Sequence, residues 1–311
     1  MGPKSCVICS QNDIKIVYKG KDRLYKLPGE FSIGKCENCG VYCTLPSLSE
    51  NEIASYYPDN YHVYRKAIDD EPNLIKKVDR QTAMYRRWKQ ISKRRKFPGR
   101  ILDIGCATGN FLNEMKKRGW ECWGVEPNTN AANYAKDKFD LHVHNGYLLG
   151  IQYPSSYFDV VTLWDVLEHT QDPSRVLKEI QRILKPEGFI FLSLPNADSY
   201  ENYLFGRNWC GWDVPRHYIT FTQASIQMYL SKMGYHDIKI GSFYGHHGVF
   251  MISLRFWLDD VKLSKTIKNI IFTIMNSVIT RAVTLPLFLF LDIINRSSIM
   301  GVSAMNPKVN P

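Results

Sequence analysis

Two pairs of cysteines stand at metal-ligand spacing, Cys6-Val7-Ile8-Cys9 and Cys36-Glu37-Asn38-Cys39. Four thiolates close a tetrahedral shell around zinc and leave no position for a substrate, so the pattern points to structural Zn2+. Cys43 lies near the second pair and is surplus to it. The second constellation is Ile101-Leu102-Asp103-Ile104-Gly105-Cys106-Ala107-Thr108-Gly109, with Glu126 closing the next strand-like run. It reads as a buried strand, a glycine turn and a helix start, followed at about twenty residues by an acid suited to ribose hydroxyls. The ligand is therefore nucleotide-like. A dinucleotide fingerprint would need glycine where Ala107 and Asn110 stand, and a P-loop would need Lys and Ser/Thr where Asn110 and Phe111 stand. What remains is a loop that approaches its ligand closely without gathering phosphate-binding groups.

S-adenosylmethionine (SAM) carries a ribose, an adenine and a charged amino acid but no phosphate. The chain resembles the class I SAM-dependent methyltransferases over roughly residues 98 to 250. The resemblance rests on Asp103 to Gly109, on Gly124-Val125-Glu126-Pro127, on Phe158-Asp159-Val160-Val161 and on Leu184-Lys185-Pro186-Glu187-Gly188. It implies a Rossmann-like α/β fold with a seven-stranded, mostly parallel sheet and an antiparallel last strand. It also implies that Asp103, Gly105, Cys106 and Gly109 line the methionine and ribose side of SAM. Glu126 would accept from the ribose hydroxyls, Gly146 and Tyr147 would fall near the adenine, and Pro127 and Asp165 would be further cofactor contacts. Many relatives carry an acid where this chain has Tyr147.

Methyl transfer needs a nucleophile held in line with the sulfonium and relieved of its proton. After the fourth strand, Glu168-His169 and Asp172-Pro173 resemble the ubiquinone-pathway O-methyltransferases and their broad relatives. Histidine is the natural base near neutral pH, so His169 is one candidate. The loop Asn208-Trp209-Cys210-Gly211-Trp212-Asp213-Val214-Pro215-Arg216-His217-Tyr218 lies where this fold builds its substrate lid. It supplies His217 as the favoured base, with Trp212, Asp213, Arg216 and Tyr218 as acceptor contacts; Arg216 would hold an anionic group. Tyr57-Pro58-Asp59-Asn60-Tyr61 resembles a segment of the sugar C-methyltransferases, which also carry a four-cysteine module, and it places Tyr61 near the substrate.

The elements that must position these residues follow from hydrophobic period. Residues 1–45 read as a zinc ribbon of short strands, and 46–97 as a helical connector. In the connector Ser49 and Glu52 form a capping box. From Val78 to Lys96 the pattern is helical and basic, with Met84, Trp88 and Ile91 turned to the core. Residues 98–255 and 298–311 make the SAM-binding domain, with strands at 100–105, 121–126, 140–144, 158–164, 188–194 and 238–244. Its helices fall at 109–118, 129–138, 173–184 and 222–233, and Ile299 to Ala304 returns as the last strand. Residues 256–297 form a hydrophobic helical insert, broken at Pro286 and flanked by Lys262, Lys265, Lys268, Arg281 and Arg296. Its apolar run is too interrupted for a spanning helix and resembles an interfacial hairpin.

The chain has 311 residues with a net charge of +10, which favours an anionic partner without choosing one. Its polar start carries no secretory signal, and eight cysteines grouped this way are no disulfide scaffold. The expectation is a cytoplasmic enzyme, peripheral at the inner face of the membrane. It would methylate a small-molecule, glycan or lipid-linked acceptor, through oxygen. The alternatives are an RNA methyltransferase using the basic helix, a sugar C-methyltransferase and a non-catalytic SAM-binding scaffold. Membrane contact through residues 262–296, nucleic acid and a homodimer are the further partners left open.

Overall fold

The computed structural model describes residues 5–58, 67–244 and 246–308. Tyr61 and the turn residues Asp59 and Asn60 lie outside them. Three strands open the chain, β1 (Ile14–Gly20), β2 (Phe31–Cys36) and β3 (Tyr42–Leu45), and two helices follow, α1 (Glu50–Ala54) and α2 (Leu74–Arg94). The capping box at Ser49 and Glu52 forms as expected, with the Glu52 carboxylate accepting from the Ser49 N–H at 2.8 Å. Ile91 is fully buried, and Met84 and Trp88 pack on the same core.

The large sheet is built from β4 (Arg100–Ile104), β5 (Glu121–Glu126), β6 (His142–Asn145), β7 (Phe158–Trp164), β8 (Leu184–Pro195), β10 (His236–Tyr244) and β11 (Ile299–Met305), with β9 (Ile219–Thr220) elsewhere. Its order is β10-β11-β8-β7-β4-β5-β6. The pairs β4·β5, β4·β7, β5·β6 and β7·β8 are parallel, and β11 runs antiparallel between β8 and β10. Every residue of Phe158–Trp164 is buried, Asp159 and Thr162 included, as in a strand covered on both faces. The chain reverses direction across the sheet between β4 and β7, and in such sheets ligands bind at the carboxyl ends of the strands at that point.

Helices α3 (Asn110–Lys116), α4 (Thr129–Phe139), α5 (Pro173–Ile183), α6 (Tyr200–Phe205) and α7 (Gln223–Lys232) flank the strands. α5 shows why its sequence folds there. The Asp172 side chain accepts the Arg175 N–H at its start, Pro173 occupies the first turn, and Leu177, Ile180 and Ile183 form its buried stripe.

The small sheet has the order β1-β2-β3-β9. β9 belongs to the chain segment after the expected lid, yet it pairs with β3 through Cys43↔Ile219 and Tyr42↔Thr220. The cysteine module and the strand that follows the lid thus share one sheet.

Three further helices are α8 (His246–Asp260), α9 (Lys265–Met275) and α10 (Val278–Ile293). Pro286 does not break the apolar run: it lies inside α10. The break comes instead at Asn276 and Ser277, where the Ser277 hydroxyl accepts the Thr280 N–H and starts a new helix. α9 and α10 meet at 63°, and among the described residues no single helix is long and apolar enough to cross a membrane. Ile270, Ile274, Ile279, Val283 and Ile293 are exposed, the last at 78%.

Candidate functional site

Gly105 and Gly109 both take positive φ, +71° and +75°, which bends the chain sharply off β4. A Cβ at Gly105 would meet Val166 Cγ2 at 2.6 Å, so the glycine loop abuts the loop that follows β7. Glu126 is 3% exposed and accepts the Ala107 N–H at 2.9 Å and the Asn128 N–H at 2.8 Å. Its carboxylate grips the glycine loop while keeping lone pairs for a diol; burial raises its pKa. Asp103 is buried and accepts the Thr162 hydroxyl at 2.6 Å, and burial pushes its pKa up to about 7. Tyr147 is 68% exposed beside Gly146, while Pro127 is also exposed. One expected contact is corrected: the Cys106 side chain points into the core with Leu112 and Cys122, so only its backbone remains at the loop.

Asp165 takes a positive φ of +59°, accepts the Ser193 hydroxyl at 2.9 Å and faces Arg87 at 3.7 Å. Arg87 comes from the basic helix α2, and its siblings are similarly occupied. Arg80 pairs with Glu71, Arg94 with Asp237 and Arg95 with Asp159. Much of the helix's basic character is therefore turned into ion pairs within the fold.

The lid is also corrected. Arg216 has no exposed side-chain surface. Its guanidinium meets Asp22 at 2.8 and 3.3 Å, Asp213 at 2.6 and 2.9 Å, and the Tyr56 carbonyl at 3.1 Å. Five contacts take up all five N–H groups, leaving none for a substrate anion. Asp213 is the other half of that clasp. Trp212 is 4% exposed, packs on Trp209 and Tyr42, and donates its indole N–H to the Gly206 carbonyl. The Tyr218 hydroxyl meets the Leu48 carbonyl at 3.1 Å. These four residues, expected at the acceptor, hold the loop in place. Asp22 carries no signal in the sequence that would have marked it.

His169 and His217, by contrast, come together, with ring centroids 4.5 Å apart at 77°. His217 Nδ1 lies 2.9 Å from the Gly211 carbonyl, and His169 Nδ1 lies 3.0 Å from the Arg216 carbonyl. The Tyr57 hydroxyl is 3.0 Å from the same His169 nitrogen, so Tyr57 reaches the site. Glu168, 1% exposed, completes the cluster. Burial lowers the pKa of both histidines, that of His169 to about 3, and raises that of Glu168 well above the carboxylate range. Glu168 and His169 follow Val166, whose side chain abuts Gly105 of the glycine loop.

The cysteine sulfurs of Cys6, Cys9, Cys36 and Cys39 gather within 4.8 Å of one another. Cys6 and Cys39 stand 3.7 Å apart, and Cys9 and Cys36 3.6 Å. Thiolates on a tetrahedral zinc, each at ~2.3 Å from the ion, stand about 3.8 Å apart, so the donor set fits. Cys43 is directed to the Gly34 carbonyl instead.

Residues 77–240 match a family model described as a methyltransferase domain. The ubiquinone biosynthesis O-methyltransferase of Acinetobacter baylyi is 28% identical over 117 residues, covering 34% of this chain and 47% of that protein. Its counterpart from Paraburkholderia phymatum is 33% identical over 117 residues, with coverage of 34% and 48%. The chain thus spans about half the length of the curated relatives it matches. A solved structure from Galdieria sulphuraria, provisionally named a sarcosine dimethylglycine methyltransferase, aligns with a TM-score of 0.51 at 12% identity. That alignment covers 83% of this chain and 97% of that one, and shows likeness of fold.

Proposed function

The chain belongs to the methyltransferase-domain family and is a SAM-dependent methyltransferase, and we propose that its acceptor is an oxygen of a small or lipid-linked molecule, a glycan or related metabolite. The observation that carries this reading is the cluster that Glu168 and His169, just beyond Val166 at the glycine loop, form with His217. A hydroxyl is a poor nucleophile until its proton leaves, and the two imidazoles of the cluster are groups able to take it. In this reading Asp103, Gly105, Gly109, Glu126, Pro127, Gly146, Tyr147 and Asp165 hold SAM, with Glu126 on the ribose. SAM supplies a methyl group already activated on sulfur. His169 and His217 relieve the acceptor oxygen of its proton, and Tyr57 orients His169.

The four cysteines hold a structural zinc, which would stabilise the sheet that the cysteine module shares with β9. The exposed aliphatic face of α9 and α10 supports a lipid-linked acceptor and a peripheral position at the cytoplasmic face of a membrane. Incubating cell extract with the enzyme and methyl-labelled SAM, then separating lipid, RNA and small-molecule fractions, tests the reading. Label in the lipid or small-molecule fraction is expected, with the new methyl on oxygen. Label confined to RNA would overturn it.

A further inference from the structure

His217 is held from the cysteine module as well as from its own loop. Thr44, on β3, is 5% exposed, and its hydroxyl donates to the His217 carbonyl at 2.6 Å. The Thr44 backbone N–H donates to the next carbonyl, that of Tyr218, at 3.0 Å. One residue of the module therefore grips two consecutive peptide groups of the loop. The peptide group that accepts from the Thr44 hydroxyl also gives its own N–H, that of Tyr218, to the Glu168 carbonyl at 2.8 Å. Glu168 lies on the loop that carries His169. On the other side of His217, Arg216 meets Asp22 of the same module.

Thr44 stands where it does because of the cysteines. Cys36 ends β2, and Cys39 lies in the turn between β2 and β3. That turn is closed by the Gly40 N–H on the Cys36 carbonyl at 2.8 Å and the Cys36 N–H on the Val41 carbonyl at 2.9 Å. Ile33 of β2 faces Thr44, and on the other edge of β3 Cys43 faces Ile219. A strand of four residues gains little from its own ladder, so its place depends on what anchors the turn before it. The anchor is the four-sulfur site. Cys6 and Cys9 precede β1, so an ion held with Cys36 and Cys39 ties the two ends of the module together.

We propose that Thr44 is a positioning residue for His217, and that the zinc of the four-cysteine site sets the place of His217 through it. The proposal rests on the reading of His217 as an acceptor-side base and deepens it. Thr44 acts through a carbonyl: when the His217 peptide group turns, its imidazole moves with it. A displacement of about 1 Å at a reacting group can cost roughly a hundredfold in rate. These contacts involve neither the glycine loop nor the Glu126 carboxylate, so cofactor affinity does not depend on them.

Thr44→Val keeps the branched side chain and the backbone N–H and removes the hydroxyl, whereas Thr44→Ser keeps the hydroxyl. Native mass spectrometry and S-adenosylhomocysteine titration identify variants that retain zinc and the cofactor fold. The readouts are the ring resonances of His217 in isotope-labelled protein, assigned by their loss in His217→Asn, and the initial rate of methyl-label transfer into cell extract at saturating SAM. In Thr44→Val the resonances should move and the rate should fall by roughly tenfold to a hundredfold, with the KM for SAM unchanged. Thr44→Ser should restore both. Chelating zinc from wild type should move the same resonances, and adding zinc back should return them. A zinc-loaded Thr44→Val whose His217 resonances coincide with those of wild type overturns the proposal, as does a zinc-free wild type in which they stay. Moved resonances with an undiminished rate would uphold the positioning and remove His217 as the base, so the two failures are separable.

Discussion

Asp22 and Arg216 meet at 2.8 Å with no exposed side-chain surface on either, although 194 residues separate them. Asp22 also accepts the backbone N–H groups of Leu24, Tyr25 and Leu27, so its position in the cysteine module is rigid. Arg216 is the residue before His217. The clasp therefore sets where His217 stands from a distant part of the chain.

Removing one partner of a buried ion pair leaves the other charge uncompensated, which typically costs about 3–5 kcal/mol. Asp22→Ala should lower stability by about that amount and reduce turnover by displacing His217. Arg216→Lys should not restore it, because an ammonium cannot reproduce a planar fork that serves two carboxylates. Chemical denaturation midpoints check the first statement, and stability within about 1 kcal/mol of wild type would refute it.

This clasp also shows where reading the sequence stops. Strands at 121–126 and 158–164 and the start of α5 at Asp172-Pro173 are legible because they depend on local period and capping. The glycine loop is legible because positive φ demands glycine at a definite spacing. Nothing local marks Asp22, and nothing in Ile219–Thr220 says that it will pair with β3. Arg216 looks like an anion ligand because a buried and an exposed arginine have the same neighbours in sequence. Pro286 also misleads: proline disfavours a helix interior, yet α10 runs through it unbroken. The basic face of α2 reads as free charge, since its carboxylate partners lie far away along the chain.

The neutral histidines make a pH prediction. His169 holds a folded-state pKa near 3, lowered first by burial and then by His217. In the unfolded chain it titrates near ~6.5. Below that pH the unfolded state binds a proton that the native state refuses. The stabilising contribution is complete above about pH 6.5 and is lost as pH falls toward the folded value. Between about pH 6 and 4 the residue adds a slope of about 1.4 kcal/mol per pH unit. His169→Asn should flatten the stability–pH curve by about that amount, since the contributions of Asp103 and Glu126 are common to both proteins. Denaturant midpoints for the pair at pH 6, 5 and 4 measure it; parallel curves would show that His169 is protonated in the native state.

The α9 and α10 face bears on the membrane proposal. Lys262 and Lys265 are exposed at its edge. Each lysine near an anionic surface contributes about 1 kcal/mol. Lys262→Gln with Lys265→Gln should weaken binding to vesicles rich in anionic lipid by roughly 30-fold, at the ~1.4 kcal/mol per tenfold of binding equilibria. Ile279→Asp with Val283→Asp should abolish sedimentation with the same vesicles, because both side chains are more than two-thirds exposed and would have to enter the acyl boundary. If wild type stays in the supernatant with anionic vesicles, the peripheral position is wrong and this face meets protein instead.

Glu126 tests the cofactor reading most directly. Its two oxygens already hold the Ala107 and Asn128 N–H groups, and the same oxygens would receive the ribose hydroxyls. Replacing it with alanine removes the ribose contacts and frees Ala107, whose φ of +46° is held partly by that bond. Hydrogen bonds to a charged group are worth about 1.5–3 kcal/mol each, so Glu126→Ala should weaken S-adenosylhomocysteine binding by at least tenfold in isothermal titration. Glu126→Gln is the finer probe. Its amide nitrogen must face an N–H donor or a hydroxyl that has lost its acceptor, and it should show a smaller loss of the same sign. Unchanged affinity in both variants would place the ribose elsewhere. Loss in Glu126→Ala with full affinity in Glu126→Gln would mean that the carboxylate's charge is not used, and that Glu126 acts by holding the loop at Ala107.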